Sequence, residues 1–189
     1  IALVALVVGM AWAAIPALLK VGRGVNEVIS TIMLNYVGYQ LLVYLLRNHF
    51  DRGEGMTAET GRLPPGARIP SLNSWFEAIG FHFPQYTRLH GFLLAAIAIG
   101  IAYHVLLNRS RFGFDLRVSG ENPSAAKTAG ISPKRMVFYT FLISGGLAGL
   151  IGLSPLLGDP QYYRYGDQFP QSLGFTGLSL ALLGRNHPV

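Results

Sequence analysis

The side chains best suited to handle a small polar molecule lie in a stretch that otherwise reads as apolar helix. Thr31, Asn35 and Tyr39 fall at i, i+4 and i+8, with Tyr36 and Gln40 beside them. That spacing puts the first three on one helical face. Amide side chains offer paired donors and acceptors to hydroxyls and heterocycle edges, and phenol rings offer stacking faces. Polar residues in a membrane helix usually face the protein interior or a water-filled cavity. The alternative is hydrogen bonding between helices, typically worth about 0.6 kcal/mol. Catalytic constellations are absent. The chain has no Cys, no H-E-x-x-H, no G-x-S-x-G and no G-x-x-x-x-G-K-[ST] phosphate loop. Disulfides, thiolate metal sites and a cysteine nucleophile are excluded, and no cofactor or metal site is implied.

The elements that must carry these residues are membrane spans. Of the 189 residues, 51% are hydrophobic and 13% charged, about half the charge of an average soluble domain. The charges are also segregated. Residues 1–19, 28–46, 89–107 and 136–157 contain no Asp, Glu, Lys or Arg, and about 20 apolar residues cross a hydrocarbon core. Residues 1–19 lack an initiating Met, a basic lead and a small-residue cleavage site. They therefore read as a span whose start is missing rather than as a signal peptide. The other end, which stops abruptly at Val189, likewise reads as a truncation.

Charge asymmetry orients the spans. One short loop carries Lys20 and Arg23 against Glu27. The segment 108–135 carries Arg109, Arg111, Arg117, Lys127, Lys134 and Arg135 against Asp115 and Glu121. Four spans put these two loops on the same side, which the positive-inside rule makes cytoplasmic. The stretch between spans two and three nearly balances Arg47, Arg52, Arg62, Arg68 and Arg88 against Asp51, Glu54, Glu59 and Glu77. Residues 48–88 are thus an outer loop. The net charge of +6 follows from this loop chemistry and does not call for nucleic acid. Glu27 is placed to pair with Arg23, i to i+4. His90 and His104, near opposite ends of span three, read as interfacial residues.

Asn122-Pro123-Ser124-Ala125-Ala126-Lys127-Thr128-Ala129-Gly130 encodes a capped two-turn helix. Asn122 is a favoured N-cap, Pro123 suits the first helical position, the alanines favour helix and Gly130 supplies a left-handed exit. Ser132 and Pro133 then repeat the start signal for span four. A helix this short is marginal alone, so it packs either on its own spans or on another protein, and its small Ala125 and Ala126 suit a close partner. Gly145 and Gly149 form a G-x-x-x-G in span four, which allows close packing at a surface that is either fixed or sliding. In the outer loop, Ser74 and Glu77 can form a capping box for a short helix over 73–80. Residues 171–184 are apolar but shorter than a span. They read equally as a re-entrant half helix lining a path or as a span cut short.

Several of these stretches together resemble a known family. Gly113, Leu116, Arg117, Gly120, Asn122, Ala125, Ala126, Gly130 and Ile131 match the pattern G-x-x-L-R-A-x-G-x-N-x-x-A-A-x-x-x-G-I of the branched-chain amino acid/ribose type of ABC transporter permease. Val118 stands where the pattern has Ala. Ser144-Gly145-Gly146-Leu147-Ala148-Gly149-Leu150-Ile151-Gly152 is similar to that family's next motif. Arg23-Gly24-Val25-Asn26-Glu27-Val28-Ile29, Met33-Leu34-Asn35-Tyr36 and Gly174-Phe175-Thr176-Gly177-Leu178 resemble its nucleoside and simple-sugar subgroup.

The resemblance implies an all-α, polytopic transmembrane bundle of about four spans, with a half helix or cut span and a short cytoplasmic coupling helix. It implies a permease of an ATP-driven importer in a bacterial inner membrane, not itself an enzyme. Its partners would be cytoplasmic ABC ATPase subunits, a second permease subunit, an extracytoplasmic substrate-binding lipoprotein and membrane lipid. Gly113, Leu116, Arg117, Gly120, Asn122, Ala125, Ala126 and Gly130 become candidates for coupling to the ATPase. Thr31, Asn35, Tyr39, Gly174 and Phe175 become candidates for the path of a nucleoside or simple sugar. The alternative is a secondary transporter of a small polar solute. The absence of Asp, Glu, Lys and Arg from the four apolar runs counts against a proton carrier, though not against every sodium carrier.

Overall fold

The computed structural model describes residues 1–50, 59–64, 66, 91–158, 163–166, 169–170 and 173–184. Among the described residues the regular structure is helical, with no strand. The helices are α1 (Ala2–Arg23), α2 (Glu27–Leu45, continued by a π-type turn Leu46–Phe50), α3 (Phe92–Arg109), α4 (Arg111–Glu121), α5 (Pro123–Thr128), α6 (Pro133–Ile151), α7 (Leu153–Gly158) and α8 (Leu173–Leu183). Four helical stretches are long and apolar enough to span a membrane: Ala2–Arg23, Glu27–Phe50, Phe92–Arg109 and Pro133–Gly158. Their 18 to 26 residues rise about 27 to 39 Å, which brackets the hydrocarbon thickness of about 30 Å. α8 has 11 residues and rises only about 17 Å. The short helix expected over 73–80, and His90, lie outside the described residues.

The chain divides into two compact units, Ile1–Leu42 with Ala102–Ile151, and Val43–Ile101 with Gly152–Val189. In the first, α1 packs along α6 through glycines at which a side chain would not fit. A Cβ on Gly9 would stand 2.3 Å from the Gly145 carbonyl oxygen, and one on Gly149 would stand 2.3 Å from the Ala5 carbonyl oxygen. A Cβ on Gly145 would meet the Ala13 Cβ at 2.2 Å. The contacts descend along α6 as they climb α1, so the two helices are antiparallel. Ala5, Gly9 and Ala13 form the matching stripe to Gly145 and Gly149. With no hydrophobic force between helices in lipid, such small-residue seams let dispersion and backbone contact hold a pair. α2 joins the same unit where Gly38 leaves room for the Trp12 indole, 3.1 Å from where a Cβ would be.

The turn between α1 and α2 is built from two residues. Gly24 takes a left-handed conformation, φ 67°, which glycine adopts without a Cβ clash. Asn26 then caps α2 by accepting from the Val28 N–H at 2.9 Å. Glu27 pairs with Lys20, not with Arg23. The i to i+4 rule holds within one helix, but α1 ends at Arg23 and the chain reverses before Glu27. Lys20, one turn earlier, is the cation that meets the start of α2.

The second unit contains a clasp between two segments far apart in sequence. The Thr60 N–H donates to the Tyr165 carbonyl at 2.9 Å, and the Leu63 N–H donates to the Tyr163 carbonyl at 2.8 Å. The Tyr165 N–H donates to Thr60 Oγ1 at 2.9 Å. Arg164 and Glu59 form an ion pair across the same junction, and the Tyr165 and Phe169 rings lie 5.0 Å apart.

Candidate functional site

The residues singled out in 108–135 form one folded corner between α3 and α6. Its first bend is at Ser110. The Ser110 hydroxyl donates back to the Leu106 carbonyl and accepts from the Gly113 N–H at 3.1 Å, so it closes one helix and caps the next. Gly113 is required here for space. A Cβ on it would stand 2.0 Å from the Leu107 carbonyl oxygen, closer than any side chain can approach. α4 follows, an 11-residue helix within a segment whose charges alone describe it as a loop.

Asn122 serves two helices at once. Its N–H donates to the Val118 carbonyl at 3.1 Å and ends α4. Its side-chain oxygen accepts from the Ser124 and Ala125 N–H groups at 3.0 and 3.1 Å and starts α5. Pro123 takes the first helical position, where it has no N–H to waste. At the other end the Gly130 N–H donates to the Lys127 carbonyl at 3.0 Å and the Ile131 N–H to the Ala126 carbonyl at 2.9 Å. With Gly130 at φ 80°, this is the Schellman pattern of a glycine-terminated helix. Both caps therefore form on the residues expected. The helix between them has 6 residues, short of two turns, because the caps occupy its flanks.

α4 packs on α5 and α6, and α5 packs on α6. This packing decides which way α5 faces. Ala126 was expected to sit against a partner, yet it is 0% exposed, buried inside the chain's own corner. Its small side chain is accounted for by that fit. Asn122, Ala125, Lys127 and Thr128 are on the exposed side. Of the other motif residues, Gly113 is buried, Leu116 is half-buried, and Arg117, Gly120 and Gly130 are exposed. Ser119, which the sequence reading did not single out, has its hydroxyl buried with no hydrogen-bond partner among the described residues.

Arg109, Arg111, Arg117, Lys127, Lys134 and Arg135 are all exposed on the corner, and none forms an ion pair with another described residue. Because α1 runs antiparallel to α6, the end of α1 bearing Lys20 and Arg23 lies at the same end of the unit as the start of α6. The two basic loops therefore share one side.

Thr31, Asn35 and Tyr39 all lie on α2 and are exposed. α2 buries only Ser30 of its own length. The Thr31 hydroxyl is spent on its own helix, donating to the Glu27 carbonyl at 2.8 Å. The Asn35 side chain, in the middle of α2, makes no hydrogen bond to another described residue. Gly174 and Phe175 belong to the second unit, in the first turn of α8, and both are exposed.

Two signals for this architecture were present in the sequence and unread. Ala5, Gly9 and Ala13 repeat at i, i+4 and i+8, the spacing of a packing stripe. Ser110, a residue type favoured at the N-cap, marks the start of α4.

A family model described as branched-chain amino acid transport system / permease component matches residues 1–189. The glucose ABC transporter permease protein of Haloferax volcanii is 35% identical over 99% of this chain and 48% of its own. The guanosine ABC transporter permease protein of Bacillus subtilis is 34% identical over 96% of this chain and 49% of its own. The nucleoside ABC transporter permease protein NupB of Lactococcus lactis is 29% identical over 97% of this chain and 50% of its own. The chain spans about half the length of these curated relatives. No solved structure matches.

Proposed function

Since this chain belongs to the family of branched-chain amino acid transport system permease components, we propose that it forms part of the membrane-spanning permease of an ATP-driven importer. The observation that carries this reading is α5, a helix capped at both ends by side-chain and backbone hydrogen bonds and held at the end of the spans. A six-residue helix has little stability of its own, so its capping and packing make it a rigid contact element. In this reading it docks on a cytoplasmic ATPase subunit, and ATP hydrolysis is the partner's chemistry. The exposed cations beside it face the cytoplasm and the anionic leaflet surface, as the positive-inside rule requires. By the same charge rule, residues 48–88 form the outer loop, the side on which a substrate-binding lipoprotein delivers its cargo. A second permease subunit completes the pathway, in the cytoplasmic membrane of a bacterial cell.

The substrate in this reading is a nucleoside or simple sugar. Relatives are named for glucose, guanosine and nucleosides, which share a ring bearing several hydroxyls. Asn35 and Tyr39 carry donors and acceptors suited to such rings, and Phe175 carries an apolar face for a base or a sugar ring. These residues are proposed to line the path.

The test exploits the two adjacent alanines. Ala125→Arg puts a long charged side chain on the exposed face, so the permease should insert and fold but lose ATPase association and uptake. Ala126→Arg puts the same charge into the buried corner, where an unpaired charge costs several kcal/mol, so folded yield itself should drop. Full association and uptake with Ala125→Arg would sink the docking assignment.

A further inference from the structure

α3 buries none of its own residues, so little apolar packing ties its end to the corner that follows. A polar chain runs across that junction. The Arg117 guanidinium donates from Nη1 to Asn108 Oδ1 at 3.2 Å. The nitrogen of the same amide, Nδ2, lies 3.2 Å from His104 Nδ1. The donor and acceptor roles are forced from one end. A guanidinium has only N–H groups, so the Asn108 oxygen must turn to Arg117 and its NH2 must turn to the imidazole. His104 Nδ1 must then accept, which places the ring proton on Nε2. His104 and Asn108 are four residues apart on one face of α3, and Arg117 reaches them from α4 across the Ser110 bend.

From this chain we infer that Arg117 is a positioning residue that acts through Asn108, with His104 fixing the amide, to tie α4 to the last turns of α3. The inference rests on the coupling reading of the corner. Its content is that a displacement of α4 and α5 is carried into the third span rather than absorbed at the bend. The tie has three members and one joint. Asn108 alone offers both an acceptor to Arg117 and a donor to His104, so it is the residue whose chemistry decides whether the tie holds.

The experiment measures ATP hydrolysed per substrate taken up by the assembled transporter in vesicles, together with ATPase association. Arg117→Leu and Asn108→Leu should each raise the ratio roughly fivefold, the scale set by one hydrogen bond, when the ratio is read on complexes that carry the ATPase. The double variant should show the same rise, because both changes cut one link. Asn108→Asp should stay near the parent ratio, since a carboxylate accepts both from Arg117 and from an imidazole that moves its proton to Nδ1. If Asn108→Leu does not assemble, Asn108→Ser, whose hydroxyl is too short to bridge, should give the same rise. The inference is overturned by an unchanged ratio, by single effects that multiply in the double variant, or by Asn108→Asp matching Asn108→Leu. A parent complex that binds no ATPase overturns the coupling reading instead.

Discussion

The corner between α3 and α6 and the clasp of the second unit solve the same problem by opposite means. Both hold backbone that would otherwise be left with unpaired polar groups. The corner does it with neighbours: Ser110 serves Gly113, Asn122 serves Ser124 and Ala125, and Ile131 serves Ala126. The clasp does it with strangers, since Thr60 and Tyr165 are 105 positions apart. Local bonds cost little chain entropy to form, while long-range closure must be made worthwhile by the rest of the fold. Single residues should therefore matter greatly in the corner and little in the clasp.

The severest way to break the corner is Gly113→Ala. The added methyl would lie 2.0 Å from the Leu107 carbonyl oxygen, so α3 and α4 must part. We expect a loss of about 3 kcal/mol, read as a lower thermal midpoint of the purified protein and a lower folded yield. Next is Gly130→Val. A β-branched residue at φ 80° is strained by about 1–3 kcal/mol, and protease should then cut between α5 and α6. Asn122→Ala removes the shared cap and should cost about 1 kcal/mol, whereas Asn122→Asp, which keeps an acceptor, should be near neutral in the same thermal assay. Smallest is Glu59→Gln in the clasp. Its partially exposed ion pair with Arg164 should contribute under about 1 kcal/mol, and the difference should fade in high salt. If Glu59→Gln proves more damaging than Asn122→Ala, the contrast between the two regions fails.

The same contrast explains what could be read in advance. The four spans were legible because apolar runs free of charge have few other uses, and the caps at Asn122 and Gly130 were legible because each acts within a few residues of itself. The facing of Ala126 was not. Smallness signals close approach but carries no direction, and the side that approaches is the chain's own α4 and α6. The partner of Glu27 was misassigned because the sequence does not say that α1 stops between Arg23 and Glu27. α4 was missed because Gly113 and Gly120 argue against helix by propensity, while the first is needed for contact with Leu107. Nothing local announces the clasp. Thr31, Asn35 and Tyr39 were legible as a shared face on α2, but α2 buries only Ser30, so their exposure does not set that face apart from the rest of the helix.

The seam between α1 and α6 also decides which motions are easy. Two helices in backbone contact can tilt together, since no side chain needs a new rotamer. Neither can roll about its own axis, because one residue turns the helix by about 100° and would bring a side chain to where only glycine fits, beside the Ala5 or Gly145 carbonyl. Mechanically the pair is one composite beam, stiff in torsion and free to lean, with the capped corner bolted to its end. A push on that corner should thus appear as a swing of both helices, and a substitution that fattens Gly9 should stop the swing by splitting the beam.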